Sequence, residues 1–279
     1  MVNALIFDCD GVLADTERDG HRVAFNRTFA EFDLPIEWSE ATYAEKLKTA
    51  GGKERMATEL TPEFSRANNL PEASVEQAAL LAQLHKRKTA IYTDMVAAGM
   101  LPTRPGITRI IAEAQDNGWE VAVASTSAEP SVRAILERAA GPERAARFDV
   151  VLAGDIVAHK KPAPDIYLLA LERLEVSPAE ALVIEDSRNG LLAATAAGMR
   201  CVMTVNGYTE EEDNSEAILV VSSLGDPDGE RTRVIVNRGS ASPGNYITLA
   251  DLERCLAPDS DTRPRNGIGG GSYGTHCAR

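Results

Sequence analysis

The 279-residue sequence predicts an α/β protein: a doubly wound parallel sheet with an all-helical segment inserted after its first strand. Three observations carry this expectation. Short apolar runs rich in Val and Ile recur at the two ends of the chain, helical stretches with recognisable ends lie between them, and one long segment, from residue 15 to about 99, is patterned as helix and holds no strand-like run. Strands buried on both faces read as continuous apolar runs rather than as alternating ones, and the runs here are of that kind.

Residues 4–7 (ALIF) form the first expected strand. Within the insertion, residues 75–98 carry Leu80, Leu81, Leu84, Ile91, Tyr92 and Met95 at helical spacing. Pro105 then opens a helix that Gly118 closes, and residues 121–124 (VAVA) follow as a strand. Pro130 opens the next helix, residues 150–153 (VVLA) form a strand, and Pro164 precedes a further helix. Residues 182–184 (LVI) give a strand whose following helix stops before Gly198; residues 201–205 (CVMTV) and 218–221 (ILVV) complete the set. Residues 258–279 are polar, Gly-rich and aperiodic, and read as a flexible tail. The expected division is therefore a core of residues 1–14 and 100–257, a helical insertion of residues 15–99, and the tail.

Composition bounds the function. Hydrophobic residues make up 44% and charged residues 25%, a globular balance that excludes a disordered chain, a collagen-like repeat or a coiled-coil rod. No apolar run approaches the ~20 residues of a membrane helix, and the chain starts without a basic segment and cleavage site, so a cytoplasmic protein with no membrane partner is expected. Cys9, Cys201, Cys255 and Cys277 form no CxxC or Cys/His cluster, which argues against a zinc site or a disulfide framework. The 42 acidic residues outnumber the 29 basic ones, for a formal charge of −13, and this disfavours nucleic acid as a partner. An anionic substrate must then be met by local cations. A monomer is expected.

In a doubly wound sheet, reactive groups collect beyond the carboxyl ends of the strands. The first strand ends in Asp8-Cys9-Asp10-Gly11, two carboxylates on one side of an extended segment with Cys9 turned to the core. The second ends in Ser125-Thr126-Ser127, small hydroxyls at a strand-to-helix turn where free N–H groups can hold an anion. His159-Lys160-Lys161-Pro162 follows the third, and the fourth runs into Glu185-Asp186-Ser187. Taken singly, each has an ordinary structural reading: an acidic turn, an N-cap, a surface basic pair, a helix cap. Their conjunction in this chain order is specific.

The set Asp8-x-Asp10-Gly11-Val12 with Asp15-Thr16, then Ser125, Lys161-Pro162 and Glu185-Asp186, resembles the haloacid dehalogenase-like phosphohydrolases over residues 1 to about 256. The place of the helical insertion matches that family's all-helical cap. The resemblance implies a Rossmann-type core and a phosphatase acting through an aspartyl phosphate. The residue chemistry agrees, since a carboxylate with an ordinary pKa of ~3.9 is ionised at neutral pH and can attack phosphorus, which makes Asp8 the expected nucleophile. Attack on a phosphate dianion calls for a hard cation with oxygen ligands, Mg2+, expected on Asp8, the Asp10 main-chain carbonyl and Asp186, with Glu185 ligating directly, through water or by orienting a ligand. Lys161 is expected to neutralise charge, Ser125 to hold phosphoryl oxygens, and Asp10 to move the proton of the leaving group and then of water.

Substrate choice falls to the insertion and the second strand end, with Thr126 and Ser127 expected against the phosphate. Glu17 and His21 follow the first motif closely enough to reach sugar hydroxyls. Gly51-Gly52-Lys53-Glu54-Arg55 sets free backbone and two cations at a helix start, an arrangement suited to a second phosphate. Together with residues 17–22 (ERDGHR), Ser125-Thr126-Ser127, Lys160-Lys161-Pro162, Gly207-Tyr208-Thr209 and Gly225-Asp226-Pro227, these residues make the chain similar to the CbbY-type sugar bisphosphate phosphatases of carbon fixation, which take the 1-phosphate from xylulose 1,5-bisphosphate. The alternatives are a β-phosphoglucomutase-like phosphosugar mutase, a phosphoglycolate phosphatase, whose small substrate does not need Lys53 and Arg55, and a noncatalytic sugar-phosphate sensor, which the complete set of acids, hydroxyl and lysine argues against.

Overall fold

The structure, a computed structural model, describes residues 3–49 and 51–257. The expected tail, residues 258–279, lies outside them. Seven strands, β1 (Ala4–Phe7), β2 (Glu120–Ala124), β3 (Val150–Leu152), β4 (Ala181–Glu185), β5 (Arg200–Thr204), β6 (Leu219–Val221) and β7 (Val234–Asn237), form one sheet in the order β3-β2-β1-β4-β5-β6-β7. The first six pair in parallel and β7 runs antiparallel to β6. The chain steps outward from β1 through β2 to β3, then returns to place β4 on the other side of β1. This reversal opens a crevice at the carboxyl ends of β1 and β4.

The helices are α1 (Arg22–Glu31), α2 (Glu40–Leu47), α3 (Gly52–Ala57), α4 (Pro62–Ala67), α5 (Ser74–Ala97), α6 (Ile107–Asp116), α7 (Glu129–Ala140), α8 (Pro142–Ala145), α9 (Asp165–Leu174), α10 (Arg188–Ala196) and α11 (Leu249–Leu256). Period-two alternation along β1 sends Leu5 and Phe7 to the side of Ile110, Ile111, Val132 and Leu252, and Ala4 and Ile6 to the side of Ile166, Leu174 and Leu191. Both faces of the sheet are thereby covered, which is what its parallel strands require.

Among the described residues no strand lies between Phe7 and Glu120. That stretch is helical and has its own aromatic core of Phe25, Phe29, Trp38 and Tyr43, with ring centroids 4.8 Å apart for Phe25–Trp38 and 4.9 Å for Phe29–Trp38. The two crossings between this segment and the sheet are bound together: Ala14 pairs with Thr103, and the Arg104 amide donates to the Leu13 carbonyl at 3.0 Å. A π-helical turn, Glu17–His21, starts the insertion and carries two of the candidate residues, Glu17 and His21. No helix of the described residues is long and apolar enough to cross a membrane.

Two elements differ from the sequence expectation. The sheet is not purely parallel, because β7 folds back along β6; its apolar run is only three residues long and half exposed, too weak to register as a strand. Helix α11 carried a legible signal, since Thr248 and Asp251 form a reciprocal capping box.

Candidate active site

The ladder between β1 and β4 continues one residue past β1, where the Asp8 amide donates to the Ile184 carbonyl at 3.0 Å. Asp8 is thus set beside Glu185 and Asp186, and carboxylate oxygens of all three lie within 4.8 Å of one another. Lys161, from the loop after β3, joins the group: its ammonium donates to Asp8 Oδ1 at 2.7 Å, to Glu185 Oε1 at 2.6 Å and to the Ala124 carbonyl at 3.0 Å. Tyr167 on α9 donates its hydroxyl to Glu185 Oε1 at 2.6 Å, and its ring centroid lies 4.8 Å from the ammonium. The other Glu185 oxygen accepts from the Asp186 amide at 3.1 Å. Two glycines permit this crowding. A Cβ on Gly11, which sits at φ 78°, would fall 1.9 Å from Asp186 Oδ2, and one on Gly190 would fall 1.9 Å from the Glu185 carboxyl carbon.

Asp8 and Glu185 share the Lys161 ammonium, and Asp186 lies beside them in the same buried cluster. Burial pushes the Asp8 carboxyl up, with Lys161 opposing and Glu185 and Asp10 adding to the rise. Burial likewise pushes Asp186 up, reinforced by Glu185 and Asp8 and opposed by Arg104 and by Asn206, whose Nδ2 donates to Asp186 Oδ2 at 2.8 Å. For Lys161, burial favours the neutral form but is outweighed by Asp8 and Glu185, so its ammonium is held more firmly than usual. An all-oxygen, net-negative donor set of this kind fits a hard divalent cation.

Asp10 stands between this group and the helical segment. Its Oδ2 accepts a short hydrogen bond from Ser127 Oγ, its Oδ1 accepts from the Tyr92 hydroxyl at 3.5 Å, and His21 Nε2 lies 3.8 Å away. Cys9 between the two acids is fully buried in the core, as alternation requires. The Ser125 hydroxyl, also buried, accepts from the Ser127 amide at 3.1 Å, and Thr126 is half-buried beside it. Ser127 therefore engages Asp10 directly, a contact that spacing along the chain does not disclose.

In the helical segment, Glu17 accepts from the Tyr43 hydroxyl at 2.5 Å, with Arg55 3.6 Å away. Burial pushes the Glu17 carboxyl up, against Arg55 and Tyr43. Arg55 is itself held, donating to the Thr49 carbonyl at 2.9 Å and to the Tyr43 hydroxyl at 3.0 Å. His21 is driven well below the ordinary histidine range by burial, then by Lys88 and Arg55. Its Nδ1 accepts from the Lys88 ammonium at 2.9 Å, which leaves the imidazole proton on Nε2, facing Asp10. Gly51 caps α3, Gly52 lies beside the His85 ring, and Lys53 is exposed with no ion-pair partner among the described residues. The structure brings Asp8, Asp10, Ser125, Ser127, Lys161, Glu185 and Asp186 to one crevice, sets Glu17, His21 and Arg55 in one network of the helical segment, and leaves Lys53 apart on its surface.

A family profile for haloacid dehalogenase-like hydrolases matches residues 2–198. The chain belongs to that family. This hydrolase is 47% identical over 232 residues to the CBBY-like protein of Arabidopsis thaliana, covering 82% of this chain and 71% of that one. It is 42% identical over 229 residues to protein CbbY of Cereibacter sphaeroides, covering 82% and 95%. Among solved structures, CbbY from Rhodobacter sphaeroides in complex with phosphate aligns with a TM-score of 0.68 at 41% identity, over 82% of this chain and 97% of that one. The same figures hold for an Asp-to-Asn mutant of that protein in complex with xylulose-(1,5)bisphosphate. The hydrolase is an enzyme, a phosphatase of the CbbY-like kind, and its fold class is the one the sequence predicts.

Several residues of the candidate site escaped the sequence reading. Tyr167, Lys88 and Tyr92 look like ordinary helix residues, and their partners lie 18, 67 and 82 positions away. Asn206 was within reach, because it follows β5 at the same edge of the sheet as the other stations.

Lys88 gives a prediction for the hydrolase. Burial pulls its pKa from 10.5 to about 8, against Glu17 and Asp10. Below pH 8 the ammonium is charged in both folded and unfolded chains and its burial cost is present in full; between pH 8 and 10.5 the unfolded chain binds more protons, so stability from this group rises with pH. Lys88→Met should remove that rise, about 1–3 kcal/mol, as measured by urea unfolding at pH 7.5 and 10.5. Parallel changes in variant and wild type would refute it.

Proposed function

We propose that this hydrolase is a Mg2+-dependent sugar bisphosphate phosphatase that releases the 1-phosphate of xylulose 1,5-bisphosphate through an aspartyl phosphate on Asp8. The observation that carries the reading is the placement of Asp8 against Lys161 with Glu185 and Asp186 behind it, while Asp10 faces the helical segment. The likeness to CbbY, solved with that bisphosphate, supports the substrate. Residues 1–14 and 100–257 act as the catalytic core in this reading and residues 15–99 as its cap.

An Asp8 carboxylate oxygen bonds to phosphorus as the ester P–O bond breaks, and Asp10 delivers a proton to the departing sugar oxygen. Asp10, now a carboxylate, takes a proton from the water that cleaves the aspartyl phosphate. The Tyr92 and Ser127 hydroxyls orient Asp10 for both transfers. Lys161 neutralises Asp8 and the phosphoryl oxygens, which the Ser125 and Thr126 hydroxyls and nearby amides hold. Asp8, Asp186 and the Asp10 main-chain carbonyl would hold Mg2+, which when bound offsets the charge of carboxylates and phosphate. Glu185, with both oxygens taken by Lys161, Tyr167 and the Asp186 amide, serves to position Lys161.

The phosphate that is not hydrolysed meets Lys53 and Arg55 beside the Gly51-Gly52 backbone, while Glu17 and His21 read the sugar hydroxyls. Arg55 is already ordered by Tyr43 and Thr49, so little of its side-chain freedom remains to be lost on binding. Phosphate release from xylulose 1,5-bisphosphate, with Mg2+ and with EDTA, tests the function; an isomerised sugar phosphate without free phosphate would replace hydrolysis by mutase chemistry. Lys53→Ala should lower kcat/KM for the bisphosphate about tenfold or more relative to a pentose monophosphate, the size of one charge-assisted contact. Equal losses on both substrates would discard the clamp.

A further inference from the structure

Arg104 stands where the chain returns from the helical segment to the sheet, and the chemistry described so far does not use it. Its guanidinium donates to four main-chain carbonyls in three separate segments. Nη1 reaches Gly11, by a short contact, and Thr204 at 2.6 Å; Nη2 reaches Val205 at 2.8 Å and Ser222 at 2.6 Å. These carbonyls belong to the loop after β1, the end of β5 and the residue after β6. The contacts close a ring. Gly11 packs against the Asp186 carboxylate, Asp186 accepts from Asn206, Asn206 follows Val205 in the chain, and Arg104 ties Val205 back to Gly11. A planar fork with two donors on each terminal nitrogen can satisfy such a set, whereas an ammonium offers one point.

We propose that Arg104 is a positioning residue for the metal side of the active site: its guanidinium holds the Asp10–Gly11 segment in register with Asp186 and with the ends of β5 and β6. The inference rests on the metal-dependent reading of the site. Because the Arg104 amide also binds Leu13 and Thr103 pairs with Ala14, both crossings to the helical segment are anchored next to this guanidinium.

The test uses the full chain and Mg2+ alone, reading the rise of melting temperature with Mg2+ as an apparent dissociation constant. Arg104→Lys should weaken Mg2+ binding about tenfold or more. Arg109→Lys is the control, because Arg109 also contacts a main-chain carbonyl, that of Gly225 at 2.7 Å, and a carboxylate, Glu113 at 2.9 Å, away from the site; it should lower stability and leave the Mg2+ constant unchanged. Equal Mg2+ constants for Arg104→Lys and wild type would overturn the proposal while leaving the metal reading intact. A wild-type protein that shows no Mg2+ response would overturn both. If Arg104→Lys does not fold, hydrogen exchange of the wild type decides: Mg2+ should slow exchange in peptides covering residues 200–206 and 219–224 together with residues 8–14, and protection confined to residues 8–14 and 185–187 would overturn the role.

Discussion

Asp8→Asn abolishes phosphate release, by a factor on the order of 10^4 or more, because an amide of the same size cannot attack phosphorus. The fold should survive and become slightly firmer. Since burial raises the Asp8 pKa, its ionised form costs the folded state free energy at pH values above the ordinary carboxylate range, and that cost is relieved as pH falls through the raised value. A neutral isostere carries no such cost at pH 7.5, and Lys161 keeps Glu185 as its partner. The measurement pairs single-turnover assays with thermal unfolding in EDTA. A folded Asp8→Asn protein with turnover within tenfold of wild type would remove Asp8 as the nucleophile.

Lys161→Met has the second large effect, on stability as well as on rate. The thioether fills most of the lysine's volume but leaves Asp8 and the fully buried Glu185 without their shared cation. Breaking a buried pair from one side costs about 3–5 kcal/mol, far more than the pair itself is worth, because the remaining charge stays desolvated. Adding Glu185→Gln should restore much of that stability, since the amide is neutral and can still accept from the Tyr167 hydroxyl, but it should not restore phosphate release. A double-mutant cycle from urea unfolding reads the coupling. Additive losses would mean that Glu185 does not depend on Lys161 for its burial.

Strands β1 to β6 were legible in the sequence because a strand buried on both faces must be apolar at every position, a signal local to four or five residues. Strand β7 was not: Val234 and its neighbours face water in part, and their pairing with β6 is made by a fold-back that no local pattern announces. The four stations of the candidate site could be singled out for a related reason. Asp8 and Ser125 directly follow their strands, Glu185 is the last residue of β4 and Lys161 lies in the loop after β3, positions where small spacings survive folding unchanged.

Asp10 shows where local reading stops. The sequence placed it two residues beyond Asp8 and on the same side of the strand end, yet its hydrogen-bond partners are Ser127, 117 residues away, and Tyr92, 82 residues away. Lys88 and His21, 67 residues apart, meet only because α5 packs on the start of α1. Arg104 was invisible for the same reason, since its four carbonyl partners carry no side-chain signal at all.

By itself the sequence determined the α/β class, the helical character of the insertion and the chemical types standing at the strand ends, because periodicity and motif spacing are properties of neighbouring residues. Only the tertiary structure decided that Glu185 faces Lys161 and Tyr167, that Asp8 and Asp186 are pushed toward protonation, that Ser127 turns to Asp10 and that burial and Lys88 hold His21 below the usual histidine range. Those outcomes depend on burial and on distances between segments far apart in the chain, and a charge has no defined energy until its surroundings have assembled around it.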